Sequence, residues 1–176
     1  MYEYILKNKL KRIYRNKSRE KNFLNWKDIH TVLVLFDTSH FDEVTGFIDR
    51  LKKLGKKVTV CAYQKKDDKR NYSNTSHCII SEKEAGKWFG NPLPAIIQGL
   101  ASGTVDAAID LTLSRNIPLE YVLAHIPASV KTGLKKTDFP QYDLAITTLP
   151  IGEAESYQVR ELSKQIVYYL DKIGTG

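Results

Sequence analysis

Thr31-Val-Leu-Val-Leu-Phe-Asp37, continued by Thr38-Ser39-His40, is the stretch on which the reading of the fold turns. A run of apolar and β-branched residues, closed by an acid and small hydroxylated residues, predicts a strand buried on both faces that leaves a sheet at its C-terminal end. Ser39 followed three residues later by Asp42 has the form of a capping box. Phe41, Val44, Phe47, Ile48, Leu51 and Leu54 then supply one apolar face of a helix that Gly55 ends. Lys57-Val-Thr-Val-Cys-Ala-Tyr63 is the second strand, so residues 31–63 form a compact βαβ unit.

The alternation continues downstream. Residues 64–75 read as a polar loop and 77–80 as a short third strand near an edge; Ser81-Glu-Lys-Glu84 is a capping box opening a short helix through Trp88 and Phe89. A helix over 95–101 follows Pro92 or Pro94, and Val105-Asp-Ala-Ala-Ile-Asp-Leu111 is the fourth strand. A helix over 118–125, a fifth strand Ala128-Ser-Val-Lys-Thr132 terminated by Gly133, a sixth strand Tyr142-Asp-Leu-Ala-Ile-Thr-Thr148 and a helix over 155–173 complete the pattern. This predicts an α/β fold, a three-layer α/β/α Rossmann-like sandwich on a mostly parallel sheet of about five or six strands.

The 176 residues fit one ordinary domain, large enough to need no staple. Cys61 and Cys78 lie in apolar strand-like segments and are expected to be free, buried thiols; with charges where a signal peptide needs an apolar core, the expected location is cytoplasmic. No apolar run approaches the roughly 20 residues of a membrane span. The net charge of +7 is concentrated: Lys7, Lys9, Lys11, Arg12, Arg15, Lys17, Arg19 and Lys21 against Glu3 and Glu20 leave only +1 for everything beyond residue 21. Tyr2, Ile5, Leu6, Leu10, Ile13 and Tyr14 recur at spacings of three and four, an apolar stripe on a helix whose other faces are cationic. Phe23, Leu24 and Trp26 give the linker a means of docking. The organisation expected is a basic helical arm and linker over 1–26 and a single Rossmann-like domain over 27–176.

The turn after the first strand contains no glycine, so the close backbone approach of a dinucleotide or P-loop phosphate cradle is unavailable there, and no cofactor is expected. Asp37, Thr38, Ser39 and His40 stand where ligands of open α/β sheets gather, with Asp110, Thr147 and Thr148 at the ends of two other strands; together they form a candidate polar crevice. The structural explanation competes, because Ser39 can cap the helix and Asp37 can satisfy backbone donors in the turn. His77-Cys78 beside Cys61 offers ligand types without ligand spacing, so no metal is expected. His125 ends a helix, where a cation interacts well with the dipole.

The eight bases of the arm point to a polyanion. Their interleaving with Tyr2, Tyr4 and Tyr14 favours RNA, since tyrosine stacks on exposed bases. An anionic membrane surface and a helix-mediated homodimer are the other partners such a helix allows.

The basic arm, the Thr31–Asp37 strand and the succession Val105-Asp-Ala-Ala-Ile-Asp110, Pro118-Leu-Glu-Tyr-Val-Leu and Ala128-Ser-Val-Lys-Thr-Gly133 resemble an uncharacterised family of short cytoplasmic Bacteroidetes proteins that carries no assigned activity. Asp110 and the Ala-x-x-Lys-x-Gly-like segment Ala128 to Gly133 are also similar to the N-terminal Rossmann-like half of heptosyltransferase-type glycosyltransferases. Those transferases hold the nucleotide sugar mainly through a second Rossmann-like domain, so glycosyl transfer is not expected of this chain, and the resemblance leaves room for a small-ligand crevice. The function expected is a non-enzymatic module docked by its arm on RNA or a ribonucleoprotein particle. The alternative is a small transferase-like or hydrolase-like enzyme, or a ligand-binding protein, using Asp37, Ser39, His40 and Asp110. Peripheral membrane association is the third reading.

Overall fold

A computed structural model describes residues 1–16, 23–88 and 93–173. β1 (Thr31–Asp37) is central, its five inner residues buried. With β2 (Lys57–Gln64), β3 (Cys78–Ser81), β4 (Val105–Asp110), β5 (Ala128–Leu134) and β6 (Leu144–Ile146) it forms a six-stranded sheet in the order β3-β2-β1-β4-β5-β6. Every neighbouring pair is parallel, so all six strands end on the same edge.

Period-two alternation divides the core. Val32, Val34 and Phe36 pack with the inner faces of α2 (Phe41–Lys53) and α6 (Glu155–Ile173), while Leu33 and Leu35 belong to the cluster built with α1 (Tyr2–Asn16) and α5 (Ile117–His125). α3 (Glu82–Ala85) and α4 (Ala95–Ala101) add Ala85 and Ile97 to that second cluster. In α5 every residue from Ile117 to Ala124 is buried. A helix apolar on all sides requires cover on all sides, and α1 supplies the outer cover by laying Leu6 and Leu10 against it, both at 0% exposure. The stripe of the basic helix is therefore a packed element. Lys11, Arg12 and Arg15 are exposed, Lys7 and Lys9 are half-buried, and Lys9 stands 5.9 Å from the Tyr121 ring of α5. Lys17, Arg19 and Lys21 lie outside the described residues.

The linker docks through Trp26, with Leu24 packed against the same cluster, while Phe23 stays exposed. Trp26 is buried, and the buried Lys56 donates to the carbonyls of Trp26 and Ile29 at 2.8 and 2.7 Å while standing 4.0 Å from the Trp26 ring centroid.

Several local expectations are corrected. The Ser39 capping box does not form; a 3₁₀ turn over Thr38–His40 intervenes, and Asp37 caps it by accepting from the Ser39 amide. Gly133 does not end the fifth strand, which continues to Leu134. β6 is confined to Leu144–Ile146, shorter than the apolar pattern suggests. Cys61 is buried but Cys78 is only half-buried, because β3 is an edge strand. The Ser81 cap does form, its hydroxyl accepting from the Glu84 amide. The helix it opens ends at Ala85, short of the expected Trp88, and Phe89 lies outside the described residues.

Candidate ligand-binding groove at the C-terminal edge of the sheet

β1 and β4 are neighbours, yet their continuations leave in different directions: β1 leads into α2 beneath one face of the sheet and β4 into α5 on the other. Such a switch point opens a crevice beyond the strand ends. Asp37 stands there, with one carboxylate oxygen accepting from the Ser39 amide (3.0 Å) and hydroxyl (2.8 Å) and the other 3.5 Å from the Lys65 ammonium. His40 Nε2 is 3.2 Å from the Glu155 carboxylate at the start of α6. Asp37, Ser39 and His40 share a cavity of about 60 Å³ with Ser114 and Asn116.

Thr38 is elsewhere. Fully buried, it donates its hydroxyl to Asp68 at 2.6 Å. Tyr72 donates to the same carboxylate oxygen at 2.6 Å, and Arg70 bonds both the Asp68 carboxylate and the Thr38 carbonyl. The segment after β2 is thereby clamped over the end of β1. Bonding from Arg70, outweighing the burial that opposes it and joined by Thr38 and Tyr72, holds the Asp68 carboxyl well below the usual carboxylate range. A carboxyl with a depressed folded pKa contributes stability that is present above its unfolded value and lost as pH falls toward the folded one. Asp68→Asn should therefore be less stable than wild type at pH 7, and the gap should narrow progressively below about pH 4. Urea unfolding at stepwise lower pH measures this; a gap independent of pH refutes it.

Asp110 turns inward. It is 1% exposed; its Oδ1 accepts from the Thr112 amide (2.9 Å) and hydroxyl (2.6 Å), and its Oδ2 accepts from Tyr142 (2.6 Å) and Lys136 (3.2 Å). Lys136 also donates to the Thr112 hydroxyl at 2.7 Å and carbonyl at 3.1 Å, so the ammonium uses three acceptors. Burial and the Asp110 charge push the Tyr142 phenol far up, which keeps it protonated as a donor. Beside this network, Arg115 donates through Nε to both oxygens of the buried Glu120, at 3.0 and 3.1 Å. Burial raises the Glu120 carboxyl although Arg115 opposes it. Thr147 and Thr148 are exposed at the end of β6, their hydroxyls 3.4 Å apart, and only Thr147 faces the groove described next. Of the sequence-predicted residues, then, Asp37, Ser39 and His40 converge, while Thr38, Asp110 and Thr148 do not join them.

Two larger hollows flank the central cavity. One, of about 690 Å³, lies between the first turn of α1 and the ends of β2 and β4, its walls carrying Lys65, Lys66, Lys69 and Arg115 together with the acids Glu3, Asp67 and Glu82. The other, of about 500 Å³, lies at the ends of β4, β5 and β6, lined by Ser114, Arg115, Lys135, Lys136, Thr147 and Gln158. Arg115 borders both, Ser114 borders the second and the central cavity, and Asn116 borders the first and the central cavity, so the three hollows adjoin along the sheet edge. These cations were missed by sequence reasoning. The signal was present: Lys65-Lys66 and Lys135-Lys136 each follow directly on a strand. Among the described residues no cluster of three potential metal ligands occurs, and no helix is long and apolar enough to cross a membrane.

An all-parallel six-stranded sheet with this strand order, helices on both faces and a groove at its C-terminal edge defines a Rossmann-like α/β protein. The chain belongs to DUF6913, a family of unknown function, which it matches over residues 2–173. No curated protein matches it. Among solved structures it is similar to the glycosyl transferase family 9 protein of Veillonella parvula, with 15% identity, a TM-score of 0.49, and coverage of 83% of this chain and 42% of that one. It is also similar to the E. coli heptosyltransferase WaaC with ADP, with 14% identity, a TM-score of 0.48, and coverage of 77% and 46%. The chain spans less than half the length of either.

Proposed function

We propose that this protein is a ligand-binding Rossmann-like module that takes a small anionic molecule in the groove at the sheet edge, its anionic group at the β4–β6 end. The observation that carries this reading is the lining of that hollow, where the charged residues are Arg115, Lys135 and Lys136 and no acid is among them. Two of the cations are held by buried carboxylates, Lys136 by Asp110 and Arg115 by Glu120. Arg115 is thus positioned before a ligand arrives, which reduces the ordering cost of binding, whereas the Lys136 ammonium is already committed to Asp110 and Thr112. Lys135 is exposed and, among the described residues, supplies charge that no ion-pair partner offsets. Ser114 and Thr147 add hydroxyls.

Calorimetric titration with inorganic phosphate and with a sugar phosphate tests the reading. Lys135→Glu should weaken binding by at least about tenfold, equivalent to 1.4 kcal/mol, with an unchanged circular dichroism spectrum and melting temperature. Absence of binding by wild type, or equal binding by the variant, overturns it.

A second reading, docking on RNA through α1, is favoured by one feature: Lys11, Arg12 and Arg15 remain exposed on a helix whose apolar stripe is fixed against α5. Neutralising the three to Gln tests it better than deleting α1, which would uncover α5. If each contacts a phosphate of single-stranded RNA, the slope of log affinity against log salt should fall by about 2; an unchanged slope removes the reading.

A further inference from the structure

Cys61 and Cys78 stand opposite one another on neighbouring parallel strands, β2 and β3, as register partners. Both side chains join the α1/α5 side of the core, and their sulfurs are 3.7 Å apart. Parallel neighbours run about 4.8 Å apart, inside the 4.4–6.8 Å range of Cα separations that a disulfide spans. Register and sulfur separation bring the two within reach of a bridge, for which the sulfurs must close from 3.7 Å to about 2.0 Å. The pair is asymmetric. Cys61 is at 0% exposure, whereas Cys78 is half-buried on the edge strand.

We infer that Cys61 and Cys78 are a reversible disulfide site, at which hydrogen peroxide converts the paired thiols to a cystine that pins edge strand β3 to β2. Peroxide is small and uncharged, so it can reach a pair of which one residue, Cys78, is only half-buried. The Cys78 thiolate attacks one peroxide oxygen, the O–O bond breaks, and the departing hydroxide takes a proton and leaves as water. Cys78 is then a sulfenic acid. The Cys61 thiol gives up its proton and attacks the Cys78 sulfur; the S–O bond breaks and a second water leaves. Two thiols have lost two electrons and two protons, and one peroxide has become two waters. The electrostatics support this order: contact with Cys78 and burial raise the Cys61 thiol, and the same contact, outweighing burial, draws Cys78 down. The thiolate is the reactive form, so Cys78 attacks and Cys61 resolves.

The bridge would close the loop that carries Lys65, Lys66 and Lys69 to the groove and Asp68 to its clamp on Thr38. The site itself does not depend on the groove's occupant.

Mass spectrometry of the full chain, reduced and then exposed to stoichiometric hydrogen peroxide, decides the matter. Wild type should lose two hydrogen masses, yield a single proteolytic product linking the two cysteine peptides, and regain both thiols with dithiothreitol. Cys61→Ser should stop at a Cys78 sulfenic acid that dimedone captures. Cys78→Ser should slow oxidation of Cys61 by at least about tenfold, because the remaining thiol is buried. Oxygen retained on Cys78 of wild type without a bridge, bridging between two chains, or survival of both thiols would each overturn the inference. The wild-type masses carry the test even if a serine variant folds poorly.

Discussion

Asp110→Ala should lower the unfolding free energy by about 3–5 kcal/mol, the range for removing one partner from a buried ion pair. The reason lies in what the carboxylate leaves behind. Lys136 has a side chain 5% exposed and would keep its ammonium with the Thr112 hydroxyl and carbonyl as acceptors and the Tyr142 ring 5.6 Å away, but without its counter-ion. Tyr142, donating to Asp110 at 2.6 Å, would lose its acceptor. Against a total stability of roughly 5–15 kcal/mol for a domain, this is a large fraction, and it should appear as a fall in melting temperature on the order of 10 °C. The arithmetic of the pair supplies a control. Lys136→Met added to Asp110→Ala removes the stranded charge, so the double variant should be more stable than Asp110→Ala alone. Urea unfolding of wild type, both single variants and the double variant gives the coupling; a double variant no better than Asp110→Ala would mean that the loss is one of packing and not of charge.

This network also shows where the sequence was legible and where it was not. The strand ending in Asp110 could be located from its apolar run, and period two places Ala108 and Asp110 on one face of the sheet. What could not be seen is that the partners arrive from 26 and 32 residues downstream, in Lys136 and Tyr142, and turn the carboxylate into the core. A strand-end acid reads as a site residue whichever way it faces. The groove's cations escaped for a different reason: averaged over everything beyond residue 21, charge comes to +1, and that mean conceals Lys65, Lys66, Lys135 and Lys136 gathered at the ends of β2 and β5. α5 carries its own signal in its composition. Ile117 to Ala124 has no polar face, and only a covering element such as α1 allows that in a surface layer.

Gly133→Ala should cost about 1–3 kcal/mol, the range for overpacking a filled core, even though alanine is the smallest side chain that can be added. A Cβ at this position would lie 2.7 and 2.8 Å from Cε1 and Cζ of the Tyr142 ring and 3.0 Å from the Asp110 carbonyl. Neither neighbour yields easily: the carbonyl belongs to β4, whose Asp110 is the register partner of Gly133, and the ring is held by its hydroxyl on the Asp110 carboxylate. Glycine inside a strand reads as a break, which is why it was expected to end β5; its role is to let an aromatic ring lie against the backbone. Two comparisons separate this cause from a general intolerance of substitution. Gly46, inside α2, has open space where a Cβ would stand, with nothing within 4 Å, so Gly46→Ala should be neutral or stabilise by up to about 1 kcal/mol through helix propensity alone. Tyr142→Leu combined with Gly133→Ala removes the clashing ring, and the double variant should lose less than the sum of its singles. Additive losses would place the strain at the Asp110 carbonyl, within the sheet itself, and would remove Tyr142 from the account of why this position is glycine.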